Sequence, residues 1–268
     1  MFYDYFKSIA TKKNIAVGTH DGVFHADEVF ACALLRMAHK DQTVTFIRTR
    51  DPQKLEGCDY RVDVGGIHCP ETGDFDHHQE AALPSSFGLV YEAVILMCPL
   101  NDMSEPFFTS FVKGVDVMDC DPTSVVINNP DVRFLSQIIS GFNRVGNDEQ
   151  ESQFLFVVKI AEEILKNEFK SAQDKGQAEI EYFEREILQN GVAVFPNFSP
   201  IWKDKGDHQF AVMPYSKPGQ WQIVAADTTI AALPETVSCS DGFIFRHPSG
   251  FMATFISKKA AIQAAIKI

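Results

Sequence analysis

The sequence lacks long apolar stretches and clustered cysteines, and each absence narrows the class of protein. Its apolar runs are far shorter than the roughly 20 residues that a bilayer-spanning helix needs. The amino-terminal segment lacks the charge-then-apolar order of a secretory signal, and no C-x-x-C pair occurs among the six cysteines, Cys32, Cys58, Cys69, Cys98, Cys120 and Cys239. We therefore expect a cytoplasmic protein with reduced thiols and no membrane segment.

Basic residues are also scarce. Lysine and arginine total 24 against 36 aspartates and glutamates, which gives a formal net charge of −12. Long, non-specific contact with a nucleic-acid backbone relies on many basic side chains and is therefore disfavoured. Acidic residues can instead serve a metal site, where bound cations supply positive charge. A short oligonucleotide or a nucleotide fits this charge better than a long track.

The amino-terminal part of the chain alternates strands and helices. The sequence predicts a buried strand at Asn14–Gly18, a helix from His25 to Ala38, and further strands at 44–47 and 60–64. This order indicates an α/β fold with a doubly wound, mainly parallel sheet. Ligands of such sheets bind outside the carboxyl ends of the strands.

A change in residue pattern predicts two domains. Residues 148–190 contain few helix breakers and read as a helical linker between a catalytic, metal-binding domain at 1–147 and a smaller, α+β, substrate-binding domain at 191–268. In the second domain we expect three strands and a last helix, at 209–213, 221–225, 243–246 and 258–268.

Histidines and acids concentrate in the first domain. Six of the eight histidines fall in the first 78 residues. Four blocks carry the set: "HDGVFHADE", with His20, His25 and Asp27; "RVDVGG", with Asp63; "DFDHHQ", with Asp76, His77 and His78; and "GVDVMDC", with Asp116 and Asp119. Mixed imidazole and carboxylate ligands suit Mn²⁺, Fe²⁺, Co²⁺ or Zn²⁺. Two such ions share a carboxylate, lower the pKa of a bridging water and clamp a phosphoryl group.

Other polar residues have two interpretations at this stage. Arg48 and Arg50 could hold substrate phosphates bidentately or could be surface charges paired with Asp51. Asp119 is either a ligand or a helix-end residue, and Glu28 is either a base behind the ligands or helix surface. Three histidines outside the four blocks are expected to be idle or structural: His39 and His208 exposed, and His68 in a loop.

At these blocks the sequence resembles the DHH phosphoesterase superfamily, which also contains manganese pyrophosphatases and single-strand exonucleases. Asp76-His77-His78 reproduces the tripeptide of its name. More narrowly, "GTHDGVFHADEVFACALLR", "RTRDP", "VDVGG", "FDHHQ", "PGQWQIV" and "FRHPSGF" resemble the melanocyte-proliferating-gene (Myg-type) exonuclease family. Members of that family are regarded as metal-dependent hydrolases, and its eukaryotic representative is a 3′–5′ RNA exonuclease.

The resemblance implies roles for these residues. His20 and His25 would bind one metal, and Asp63 would bridge to a second metal. His78 would face the substrate phosphate as acid or hydrogen-bond donor. Asp76 would orient the ligand His77 from outside the coordination sphere. The second metal's remaining ligands would be Asp27, His77 and Asp116, and the carboxyl-terminal block would contribute substrate contacts from His247, Ser249 and Gly250.

The chain departs from the superfamily pattern in two places. His25 stands where most of the superfamily has aspartate, which replaces an anionic ligand by a neutral one. Met252-Ala253-Thr254 stands where the family's terminal block continues into glycines, whose small size allows close backbone approach.

The sequence therefore predicts a phosphoric ester hydrolase with two Mn²⁺ ions; Fe²⁺, Co²⁺ or Zn²⁺ are alternatives. The expected activity is that of a 3′–5′ exonuclease or a phosphodiesterase on short single-stranded RNA, DNA or nucleotides. Two alternatives stay open: a metal-dependent hydrolase of an amide bond, and a non-catalytic metal- or nucleotide-binding regulatory module. The sequence is also compatible with a homo-oligomer.

Overall fold

The computed structural model describes residues 2–95, 104–123, 133–143 and 147–268. These residues form two compact units: the first extends to Ala172 without Ser104, and the second contains Ser104 and the chain from Gln173 onwards. Within the described ranges, no helix combines the length and the apolar character that crossing a membrane requires.

A five-stranded sheet organises the first unit. Its strands run in the order β2-β1-β3-β5-β4, and only the β4–β5 pair is antiparallel. This arrangement confirms the predicted mainly parallel α/β sheet. The strands are β1 (Asn14–Thr19), β2 (Thr43–Arg48), β3 (Tyr60–Val62), β4 (His68–Cys69) and β5 (Asp74–Phe75).

Seven described helices accompany this sheet or follow it. Helix α2 is buried along its first ten residues, because small side chains such as Ala31 and Ala33 let neighbouring elements approach it closely. It packs into a core that includes Val17, Tyr60 and Phe87. The helices are α1 (Phe2–Ala10), α2 (Ala26–Ala38), α3 (Pro52–Glu56), α4 (Ser86–Ile95), α5 (Glu105–Cys120), α6 (Leu135–Ser140) and α7 (Asn147–Phe183).

The second unit contains a six-stranded sheet of order β10-β11-β9-β8-β7-β6, in which only β7 and β8 are parallel. Its core includes Val212, Ile223 and Phe255. The final helix α8 (Lys258–Ala265) begins where the Ala260 N–H donates to Ser257 Oγ, at 3.2 Å. The strands are β6 (Glu186–Ile187), β7 (Ala193–Val194), β8 (Phe210–Pro214), β9 (Trp221–Ala225), β10 (Phe243–Arg246) and β11 (Met252–Phe255).

The single helix α7 covers most of the helical linker predicted at 148–190, but it ends at Phe183, and strand β6 (Glu186–Ile187) lies in the remainder. The boundary between the two compact units falls at Ala172, inside this helix. The predicted domain limits, 1–147, 148–190 and 191–268, stay a prediction. Helices α1 and α3 and strands β4 to β7 and β11 were not predicted.

Two histidines that were expected to be exposed are buried. The His39 ring stacks on Phe6, with ring centroids 4.3 Å apart, and its Nε2 lies 2.9 Å from the Tyr60 hydroxyl. His208 accepts a hydrogen bond from Arg185 Nε at 2.7 Å. Both expectations were wrong. The residues that cover His39 come from the unpredicted helix α1 and from Tyr60, and the partner of His208 is Arg185; all are distant from the histidines in sequence.

Candidate metal centre

Three neighbouring parallel strands deliver the polar blocks to one edge of the first sheet. Strands β1, β3 and β5 are adjacent and parallel, so their carboxyl ends lie together. His20 follows β1, Asp63 follows β3, and Asp76-His77-His78 follows β5. The sequence predicts such a gathering at strand ends, and the topology explains it.

Asp63 occupies the centre of this edge. Its Oδ2 lies 3.2 Å from His20 Nε2, and its Oδ1 lies 3.4 Å from His77 Nε2 and 3.5 Å from His78 Nδ1. Ser86 Oγ also donates to Oδ1. Among the described residues, Asp63 is the one non-glycine residue with positive φ, at 55°. Such backbone conformations cost on the order of 1–3 kcal/mol and are often found at functional sites.

The first turn of α2 supplies further polar side chains. Glu28 Oε1 accepts from the His25 N–H at 2.8 Å and lies 3.0 Å from His20 Nε2. Glu28 is fully buried, so its interpretation as helix surface was wrong. The H-x-x-E spacing of a capping box was a usable signal for this contact. Asp27 is 1% exposed, and neither carboxylate oxygen has a hydrogen-bond partner among the described residues.

The buried charges perturb one another. Burial is the largest influence on His20 and would lower its pKa, but hydrogen bonds with Asp63 and Glu28 raise the pKa to about 10. Burial would raise the pKa of Asp63, yet hydrogen bonds from His20 and His77 lower it. The pKa of Asp27 is raised by burial and by the nearby charges of Asp63 and Glu28. Burying so many carboxylates is unfavourable without a compensating cation.

Four groups of side chains bring ligand-type atoms within 4.8 Å of one another. Two of the groups share Asp63, and the other two share Asp119. This sharing, with the unpartnered oxygens of Asp27 and Glu28, fits a site for divalent cations. The groups are His20/His25/Glu28/Asp63, Asp63/His77/His78, His77/Asp119/Cys120 and His25/Asp27/Asp119.

The structure does not bring Asp116 into these groups. Its Oδ1 accepts from Ser85 Oγ at 2.5 Å, and it also accepts from the backbone of Gly88. Burial raises the pKa of this carboxyl. Asp119 lies nearly one turn later on α5. Its Oδ2 is 3.3 Å from His77 Nε2. The two aspartates differ by about 60° around an ideal helix, and the acidic block alone does not reveal which of them faces the histidines.

Asp76 orients His78 and not His77. Asp76 Oδ1 accepts from the His78 ring Nδ1 at 2.8 Å and from the His78 backbone N–H at 3.1 Å. Its Oδ2 accepts from the Gly66 N–H at 2.6 Å. Asp76 was expected to accept a hydrogen bond from His77, its neighbour in sequence. In the turn after β5, its carboxylate instead accepts from His78, two residues later. The side chain of His78 is 65% exposed.

A cleft of about 1030 Å³ opens over the centre. The two arginines that the sequence suggests as phosphate ligands differ in whether they line this cleft. Arg50 lines the cleft; its side chain is 61% exposed, and its Nη1 contacts Asp21 Oδ1 at 2.5 Å. Arg48 does not line it. The Arg48 side chain is 3% exposed and lies over the rings of Phe24 and Phe154.

Arg48 belongs to a set of contacts that holds the loop between β1 and α2. Arg48 Nη2 and Gln150 Nε2 both donate to the Gly22 carbonyl, at 2.6 and 2.9 Å. Asn143 accepts from the Phe24 N–H at 2.9 Å and donates to the Phe24 carbonyl at 2.8 Å. Gln150 also donates to Asn143. Sequence reasoning missed Asn143 and Gln150, because more than 100 residues separate them from the loop.

In the second unit, His247, Ser249 and Gly250 form the turn between β10 and β11. His247 Nδ1 lies 2.9 Å from Ser249 Oγ, and the Gly250 N–H donates to the His247 carbonyl. Gly250 has a φ of 72°, and an added Cβ would lie 2.9 Å from Ala232 Cβ. The glycine is therefore required by the turn. The His247 ring packs on Phe251.

The fold and this centre define an α/β protein with a histidine and carboxylate cluster, suited to divalent metal ions, at the carboxyl edge of a mainly parallel sheet. The family model MYG1_exonuc, described as Uncharacterised protein family (UPF0160), matches residues 16–193. The chain belongs to this family.

Similar proteins differ in the share of the chain that they match. The MYG1 protein of Chlamydia trachomatis is 39% identical over 156 residues, 56% of this chain and 52% of that protein. The human MYG1 exonuclease is 51% identical over 65 residues, 24% of this chain and 17% of the human protein. The matched region thus spans about half or less of these relatives. A MYG1 protein of Schizosaccharomyces pombe is 26% identical over 314 residues, covering 94% of this chain and 97% of the yeast protein.

Among solved structures, RecJ from Thermus thermophilus, crystallised in complex with Mn²⁺, is similar to this chain with a TM-score of 0.34 and 12% identity. The similarity covers 99% of this chain and 54% of the RecJ chain.

Proposed function

We propose that this chain is a dimetal-dependent phosphoesterase that acts as a 3′–5′ exonuclease or phosphodiesterase on short single-stranded RNA, DNA or nucleotides. The observation that carries the proposal is the position of Asp63. One carboxylate oxygen faces His20, and the other faces His77 and His78. A carboxylate placed between two ligand groups suits a bridge between two ions. The name MYG1 exonuclease of the human relative supports a nuclease.

The proposed ligands form two sets that share Asp63. His20 and His25 would hold one ion, with Glu28 beside them. Asp27, His77 and Asp119 would hold the other. Asp119 replaces Asp116 in this assignment, because its carboxylate is within 4.8 Å of ligand atoms from His77 and, separately, from His25 and Asp27. Mn²⁺ is the proposed metal, since imidazole nitrogens and carboxylate oxygens make up both sets. Fe²⁺, Co²⁺ and Zn²⁺ suit the same ligands.

When bound, the ions would activate a water molecule and neutralise charge on the phosphoryl oxygens. The chain's own groups would position the substrate. His78 is exposed and lines the cleft, and its Nδ1 bond to Asp76 leaves the other ring nitrogen for a phosphate oxygen. Arg50 lines the same cleft and would bind a non-reacting phosphate. His247 and Ser249 of the second unit are proposed as further substrate contacts, with Gly250 shaping their turn.

The wall of the cleft fits a substrate with few phosphates. Its cations are Arg50, which is paired with Asp21, and Arg61, whose guanidinium is bound to Asp74. Exposed Val23 and Ile67 also line the cleft and offer apolar surface to a base. A long electrostatic track has no counterpart among these lining residues, in agreement with the net charge of −12.

The test compares the metal-stripped full chain, refilled with Mn²⁺, with Asp63→Asn. Substrates are short single-stranded RNA and DNA with free or blocked 3′ ends, dinucleotides and bis-p-nitrophenyl phosphate. We expect stepwise release of nucleoside monophosphate from free 3′ ends, and no release by Asp63→Asn. Glu56→Gln is the matched control, since it removes one negative charge from the same cleft and contributes no atom to the four ligand groups.

Each contrary result has a definite meaning. Unchanged turnover in Asp63→Asn would refute the assignment. Stoichiometric Mn²⁺ binding without turnover on any phosphoester would refute the phosphoesterase. Cleavage of amide substrates would then favour the amide hydrolase, and tight nucleotide binding without cleavage would favour a regulatory module.

A further inference from the structure

A cysteine lies at the edge of the candidate metal centre. Cys120 is the last residue of α5 and is exposed. Its Sγ, a ring nitrogen of His77 and a carboxylate oxygen of Asp119 lie within 4.8 Å of one another. Of the five cysteines in the described part of the chain, Cys120 is the one that joins a ligand group.

A second observation points to a cation beside Asp119, the neighbour of this thiol. Asp27 is almost fully buried, and neither of its carboxylate oxygens receives a hydrogen bond from the described residues. One of these oxygens lies within 4.8 Å of an Asp119 oxygen. A buried carboxylate without a partner is strongly unfavourable unless a cation approaches it. Asp119 therefore links the group that contains Cys120 to a carboxylate that needs positive charge.

The chemistry of the thiol selects among cations. Thiolate is a soft ligand that binds Zn²⁺ and its heavier relative Cd²⁺ strongly, whereas Mn²⁺ prefers carboxylate oxygen. Zn²⁺ is bound by Cys, His and Asp side chains, usually in four-coordinate sites. His77, Asp119 and Cys120 present one ligand of each kind.

We propose that Cys120, His77 and Asp119 form a binding site for a thiophilic divalent cation, Zn²⁺ or Cd²⁺, which competes with Mn²⁺ at the candidate metal centre. Binding forms a metal–sulfur bond and releases the thiol proton to solvent. Cys120 thereby sets the metal selectivity of the protein. The inference deepens the proposed function and rests on it, because His77 and Asp119 belong to the proposed Mn²⁺ ligands, but the binding is measurable without turnover.

The first experiment titrates the reduced, metal-stripped full chain with Cd²⁺ and follows the ultraviolet charge-transfer absorption of thiolate-bound cadmium. We expect a saturable band that is lost in Cys120→Ser and retained in Cys239→Ser, the matched control, since Cys239 is an exposed thiol of the second unit. Affinity for Cd²⁺ should fall by about 10–100-fold or more in Cys120→Ser, since losing even an outer partner of a metal site has an effect of that size. Equal bands in Cys120→Ser and the parent chain would overturn the proposal.

A second measurement needs no variant. Alkylation of the native chain by iodoacetamide, followed by mass spectrometry of the Cys120 and Cys239 peptides, reports whether Cd²⁺ covers each thiol. We expect Cd²⁺ to slow alkylation of Cys120 and to leave Cys239 unchanged; an unchanged Cys120 rate would overturn the proposal.

The outcomes separate the two proposals. Mn²⁺-dependent turnover that requires Asp63, without any cadmium signal at Cys120, would overturn this inference and leave the proposed function standing. A cadmium signal at Cys120 without turnover on any phosphoester would support this inference and refute the proposed phosphoesterase.

Discussion

The carboxylate of Asp119 lies 3.3 Å from Nε2 of His77. This contact joins the end of α5 to the turn after β5 and completes the histidine and carboxylate cluster. It also changes the assignment of the acidic block "GVDVMDC", in which the sequence favours Asp116.

The two aspartates of α5 should respond differently to replacement by asparagine. We expect Asp119→Asn to bind less Mn²⁺, because it removes the negative charge of a proposed ligand. Asp116→Asn should retain the metal and lose about 1.5–3 kcal/mol of stability, the range for a hydrogen bond to a charged group, because the contacts with Ser85 and Gly88 weaken. Metal analysis and thermal unfolding of both variants check this. Metal loss in Asp116→Asn with full occupancy in Asp119→Asn would contradict the assignment.

The two arginines should also differ. Arg50→Ala should raise KM for a phosphoester substrate and leave the unfolding temperature nearly unchanged, because the side chain is exposed on the cleft wall. Arg48→Ala should destabilise the chain by about 1.5–3 kcal/mol, the range for a hydrogen bond to a charged group, because it removes the bond to the Gly22 carbonyl and the contacts with the two phenylalanine rings. Kinetics and denaturant unfolding test the pair. A raised KM in a fully stable Arg48→Ala variant would show that Arg48 binds substrate.

Asn143 should control metal affinity without contacting metal. Its two hydrogen bonds hold the backbone of Phe24, between His20 and His25. We expect Asn143→Ala to weaken Mn²⁺ binding by about 10–100-fold, which is the usual effect of replacing a residue that orients metal ligands. The helix content of the chain should change little. Calorimetric titration with Mn²⁺ measures this. Gln42→Ala is the control, because it removes a comparable bond to a backbone carbonyl, that of Ala10; equal losses in both variants would argue against a specific role.

His39 should make stability depend on pH. Burial lowers its pKa from 6.5 to about 4, although Gln42 and the charge of Asp59 act in the opposite direction. Between these values the unfolded chain binds more protons, so the contribution is complete above pH 6.5 and is lost as the pH falls towards 4. The loss is about 3 kcal/mol, at about 1.4 kcal/mol for each unit of pKa.

Urea unfolding between these pH values compares the parent chain with His39→Gln. The variant cannot titrate at this position, so its stability should vary less with pH, although it loses the contacts with Phe6 and Tyr60. Parallel pH profiles would show that His39 does not contribute.

The local pattern was sufficient to predict much of the architecture. Strand β1 and helix α2 carry clear periodicity and turn signals, so their positions agree with the structure within one or two residues. Strand β9 agrees at both ends. Short elements such as β4, β5 and β6 have two residues each and leave no periodic signal. They form because neighbouring strands supply hydrogen-bond partners.

The sequence by itself determined that His20 and Asp63 lie at the ends of predicted strands, because ligands of a parallel sheet gather outside the carboxyl ends of its strands. It grouped His77 with them through the concentration of histidines and acids and the family resemblance of "FDHHQ", because strand β5 was not predicted. Only the tertiary structure decided between residues that differ by a helical turn or a burial environment. Asp119 rather than Asp116 reaches His77, Glu28 is buried, and Arg48 holds a loop while Arg50 lines the cleft. Side-chain direction and burial depend on contacts between distant segments, such as Asn143 with Phe24, and local sequence does not encode those contacts.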